Sequence, residues 1–127
     1  MKLKFFKAVA STGNIKATIH SSGKLGFSTQ AIKLLGIDEN SYLKIAINEE
    51  NGEDENLYVI HTKLQDEEAI KVAKAGDYYY LNSKPIFDKL EIDYKRSKII
   101  YDIVEIEYEG NKLYKFVRRE KDRKKIK

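Results

Sequence analysis

Two eleven-residue segments, Ser28-Thr29-Gln30-Ala31-Ile32-Lys33-Leu34-Leu35-Gly36-Ile37-Asp38 and Ser83-Lys84-Pro85-Ile86-Phe87-Asp88-Lys89-Leu90-Glu91-Ile92-Asp93, align at a constant offset of 55. The match covers the opening Ser, the paired apolar positions, a Leu and the closing Ile-Asp. Strand-like segments flank both copies, which predicts two tandem units, about 1–62 and 69–119, each running strand–strand–helix–strand–strand. With so few identities, two generic capped helices set between hairpins are the alternative. A unit of about 55 to 60 residues buries too little apolar surface to stand alone, so the two should share one core. The expected fold class is a strand-dominated α+β single domain, a pseudo-two-fold barrel or sheet closed by two short helices, followed by a basic tail over 120–127. Pairing two copies also covers strand edges that one would leave open.

Local patterning supplies the elements. Phe5 to Val9 reads as a strand, Ser11-Thr12-Gly13-Asn14 as a turn, and Ile15, Ala17 and Ile19 alternate with Lys16, Thr18 and His20 as a half-buried strand. Ser21-Ser22-Gly23-Lys24 is a turn before the apolar run Leu25-Gly26-Phe27. Ser28 is placed to cap a helix over Thr29 to Leu35, with Gly36 at the left-handed closing position and Phe27 and Ile32 spaced as a hydrophobic staple. Tyr42 to Ile47 and Leu57 to Thr62 read as strands around a loop with five carboxylates. Ala69 to Lys74 and Tyr78 to Leu81 form a hairpin about Ala75-Gly76-Asp77; Ser83 caps a second helix carrying Pro85 in its first turn. Ile99 to Tyr108 and Leu113 to Arg118 make the last hairpin.

The chain of 127 residues has no Cys and only two His, His20 and His61, which excludes disulfide scaffolds, Cys-ligated zinc, iron–sulfur clusters and thiol nucleophiles. No cofactor and no metal are implied: the acidic stretches lack the order of a calcium loop. Neither His stands in a recognisable triad, and dinucleotide, P-loop and H-E-x-x-H patterns are missing, so no catalytic residue is assigned and an enzyme is not expected. No apolar run reaches the ~20 residues that cross a bilayer. Lys7 interrupts the apolar stretch near the N-terminus, so a cytoplasmic protein without membrane association is expected.

Gly23-Lys24-Leu25-Gly26-Phe27-Ser28 through Leu34-Leu35-Gly36-Ile37, followed by the strand Tyr42 to Ile47, resembles the AbrB/MazE-type swapped-hairpin DNA-binding domain. The resemblance covers residues 15 to 62 directly and the second half through the repeat. It implies a fold in which two copies interlock, here supplied by one chain, and binding to DNA in a transcription-regulating role. Lys24 stands where the family has Arg, Ser28 where it has the helix-starting Pro, and Ile32 where it usually has Arg. Lys24 and Lys33 are what the sequence keeps of the family's cationic surface. A guanidinium reads phosphate and guanine bidentately, and neither Lys nor Ile reproduces that fork.

Tyr78 and Tyr80 share one face of a strand, and tyrosines flanked by Lys offer stacking surface to nucleic acid, although tyrosines also simply favour strands. The net charge of +4 is uneven, because the stretch from Lys115 onward carries a surplus of +6. Arg118, Arg119, Arg123, Lys124 and Lys125 in that stretch are candidates for phosphate contacts. The expected function is a small nucleic-acid-binding protein, with DNA preferred to RNA and a homodimer as an option. The alternative is a non-catalytic protein-interaction or assembly module working through the tyrosine-rich face.

Overall fold

The computed structural model describes residues 1–4 and 14–119. Its elements are β1 (Lys16–Ile19), β2 (Lys24–Phe27), α1 (Thr29–Leu35), β3 (Tyr42–Ala46), β4 (Leu57–Thr62), β5 (Ile70–Lys71), β6 (Ala73–Ala75), β7 (Tyr78–Asn82), α2 (Lys84–Lys89), β8 (Ile99–Tyr108) and β9 (Asn111–Arg118). The strand expected over Phe5 to Val9 lies outside the described residues. Neither helix is long and apolar enough to cross a membrane.

Among the described residues, nine strands form one antiparallel sheet in the order β5-β3-β4-β9-β8-β1-β2-β7-β6. The two ends of that order, β5 and β6, are separated in the chain only by Val72. Val72 is buried and its N–H donates to the Ser41 carbonyl at 3.0 Å, so the sheet curls round into a nearly closed barrel. The expected single strand over Ala69 to Lys74 is therefore corrected to two short pieces, because one half pairs with β3 and the other with β7. The hairpins interleave. The β1–β2 hairpin lies between β8 and β7, and the β3–β4 hairpin between β5 and β9.

Alternation fills the barrel. Ala17 and Ile19, Leu25 and Phe27, Leu43, Leu57 and Val59, Leu81, and Ile99, Tyr101 and Ile103 point inward with Tyr114 and Phe116. Phe116 meets Phe27 edge-on, with ring centroids 6.4 Å apart, and Tyr101 at 6.2 Å. Two-residue turns close the tight hairpins: Gly76 takes φ 63 at the head of β7, and Glu109 and Gly110 take φ 51 and 82 between β8 and β9.

The helices sit in comparable strand contexts, each after the second strand of one hairpin and before another hairpin. Their ends also correspond. The Ile37 N–H donates to the Ile32 carbonyl and the Ile92 N–H to the Phe87 carbonyl, both at 3.1 Å, across left-handed residues Gly36 (φ 73) and Glu91 (φ 59). At the other end they differ. Ser28 caps α1 as expected, its Oγ accepting from the Ala31 N–H at 3.2 Å. Ser83 precedes α2 without capping it. Its φ and ψ of −114° and 20° turn the hydroxyl away from the first turn, and the buried Oγ has no partner among the described residues.

Candidate functional site

Sheet parity brings the site together. Lys24 and Gly26 alternate with the inward Leu25 and Phe27, and Tyr78, Tyr80 and Asn82 alternate with the inward Leu81. Pairing of Lys24 with Asn82 and of Gly26 with Tyr80 then places the outward side chains of β2 and β7 side by side. Tyr78 and Tyr80 stack with centroids 6.0 Å apart and planes 22° from parallel. The Lys24 ammonium lies 4.7 Å from the centroid of the Tyr80 ring.

Lys24 was expected in a turn and is instead the first residue of β2. The turn ends one residue earlier because Gly23 adopts φ 89 and the His20 N–H closes it on the Lys24 carbonyl at 2.9 Å. His20 and Gly26, which sequence reasoning passed over, fix Tyr78. His20 Nε2 is 3.0 Å from the Tyr78 hydroxyl, and that hydroxyl lies directly over the Gly26 backbone. A glycine inside a strand is the sequence signal for such a close approach. Partial burial pushes the Tyr78 phenol above its ordinary pKa, so it stays protonated and available as a donor.

The other candidates are dispersed. Lys33 is exposed in the last turn of α1 and touches neither tyrosine. Arg118 is paired with Glu55 at 3.6 Å, and its N–H donates to the Asn56 side chain. Arg119 grips Asp102 through Nε at 3.1 Å and Nη2 at 2.8 Å, which raises the guanidinium pKa further. Both arginines thus spend their charge on carboxylates of the fold. Arg123, Lys124 and Lys125 lie outside the described residues. Lys24 and Lys33 have no carboxylate partner among the described residues.

His61 has a partner that the sequence did not disclose, the Ser41 hydroxyl at 2.7 Å. Ser41 is fully buried and also accepts the Asp38 N–H at 2.9 Å. Asp38 meets this hydroxyl and Lys63, not the imidazole, so the three are not arranged as a triad in which the acid orients the base. The Lys63 hydrogen bond holds the Asp38 carboxyl below its usual range, and burial keeps the His61 imidazole below its own. The arrangement staples the loop before β3 to β4.

Two open clefts accompany the helices. One of about 300 Å³ is lined by Phe27, Thr29, Ile32, Asp77, Tyr78 and Tyr79. The other, about 280 Å³, is lined by Asp88, Glu91, Ile92, Asp93, Tyr94 and Lys95. No family model, curated protein or solved structure matches the chain, so no comparison identifies a swapped-hairpin domain.

Proposed function

We propose that this chain is a small non-catalytic nucleic-acid-binding protein that uses the outer face of β2 and β7, with DNA as the preferred ligand and control of transcription as the process served. The observation that carries the reading is the Lys24 ammonium seated over Tyr80, which stacks on Tyr78, with no carboxylate paired to the lysine among the described residues. An unpaired ammonium contributes phosphate affinity by counterion release, and the aromatic rings beside it contribute apolar contact. Lys33 and the stretch over 120–127 would add charge without sequence discrimination.

The tandem-unit reading belongs to the same proposal. It is supported by the matched bonds that end the two helices and by the antiparallel pairing of Val59 with Tyr114, which are 55 positions apart. Interleaving of the hairpins supports a swapped-hairpin arrangement within one chain.

Titration against single- and double-stranded DNA and RNA at low and high salt tests the function. Binding that weakens steeply with salt supports it, and no binding of any nucleic acid at low salt refutes it. A second reading, a protein-interaction module, is favoured by exposed apolar side chains elsewhere on the sheet: Ile60, Val104 and Tyr108 are 42%, 45% and 60% accessible.

A further inference from the structure

We propose that the cleft beside Tyr78 seats one unpaired nucleobase of a single-stranded nucleic acid, an inference that rests on the nucleic-acid reading above. Its volume of about 300 Å³ lies at the lower end of the ~300–1,000 Å³ of small-molecule sites, enough for one planar heterocycle and too little for a base pair. Phe27, Ile32, Tyr78 and Tyr79 supply its apolar lining, which suits the faces of a base. Thr29 and Asp77 supply oxygen atoms able to accept from the amino or imino groups on a base edge.

The geometry ties this cleft to the cationic face. Tyr78 lines the cleft, stacks on Tyr80, and Tyr80 in turn carries the Lys24 ammonium. A base in the cleft therefore adjoins, at Tyr78, the outward row that Tyr80 and the Lys24 ammonium continue. Tyr78 is held at both ends, by its place in β7 and by the His20 contact on its hydroxyl, so little ordering is left for the ligand to drive. Bases already paired in a duplex cannot enter the Tyr78 cleft without opening, so the site selects single strands.

The test compares three probes on the full chain at low salt: a single-stranded DNA decamer, an abasic decamer of the same charge, and the corresponding duplex. The abasic strand and the duplex should each bind about tenfold or more weakly than the base-bearing strand, the range expected when base stacking is lost. Thr29→Trp, which fills the cleft from an exposed position at the start of α1, should reduce the preference for the base-bearing strand over the abasic one. Equal binding of base-bearing and abasic strands, tighter binding of the duplex, or a preference unchanged in a folded Thr29→Trp would each overturn the base seat while leaving nucleic-acid binding in place. Failure of all three probes to bind would remove the nucleic-acid reading and the base seat together.

Discussion

The Tyr78 hydroxyl occupies the space that a side chain at Gly26 would need: a β-carbon built there stands 1.6 Å from the phenolic oxygen and 2.6 Å from the ring carbon that bears it. Gly26→Ala must therefore push the phenol off β2 and away from His20. The expected cost is about 1 kcal/mol, the scale of the His20 hydrogen bond that is lost, because the phenol is the far end of an exposed side chain that can swing aside. Denaturant unfolding checks it, with Tyr78→Ala as the background that should relieve most of the penalty. An equal cost in both backgrounds would show that the two residues are not coupled.

Lys24→Ala removes a charge without opening the core, since the side chain lies outside the barrel. Stability should change by no more than about 1 kcal/mol, the scale of an exposed cation–π contact. Affinity for every nucleic acid tested should fall by a similar factor, because an ammonium on phosphate reads no sequence. A competition assay across several sequences, run beside a thermal melt, checks both parts.

Glu109 pays for its place in the β8–β9 turn by adopting φ 51, a conformation that Asn tolerates better and that favours Asn-Gly in two-residue hairpins. Glu109→Asn should raise stability by about 0.5–1 kcal/mol, within the range of turn optimisation. Chemical denaturation measures it, and binding should be untouched because the turn lies at the far end of the β8–β9 hairpin from the strand β1.

His61 titrates below its ordinary value in the folded protein, chiefly because of burial and secondarily because of Lys63. Above about pH 6.5 the imidazole is neutral in both folded and unfolded chains and the native state keeps its full advantage. As pH falls below that value the unfolded chain takes up the proton first, so stability declines until the folded imidazole also protonates. Melting temperatures at about pH 7.5 and about pH 6 should show the decline. His61→Gln can keep a hydrogen bond to Ser41 while removing the titration, and should flatten most of it.

What could be read from the sequence follows from how local each signal is. Ser28, Gly36 and the apolar spacing between them place α1 at Thr29–Leu35, because a cap and a left-handed closing residue act within a few positions. Period-two alternation likewise places Tyr78 and Tyr80 on one face of β7. The break at Val72 was hidden, since it depends on β3 and β7 competing for one short segment. Ser83 does not cap α2 because its backbone, at φ −114° and ψ 20°, is not the extended one that a capping residue adopts, which no local pattern records. The role of His20 was hidden in the same way, and that of Gly26 was marked only by a glycine standing inside a strand. They arise from a contact across 58 positions between the β1–β2 turn and Tyr78.

Mapping amide chemical shifts while a short single-stranded DNA is titrated into the isotope-labelled protein tests the central claim most directly. The account expects the largest salt-sensitive shifts in His20, Lys24, Gly26, Tyr78 and Tyr80, spreading to Thr29 and Ile32 at the cleft. Shifts confined to the surface around Ile60, Val104 and Tyr108, or none at all, would contradict it.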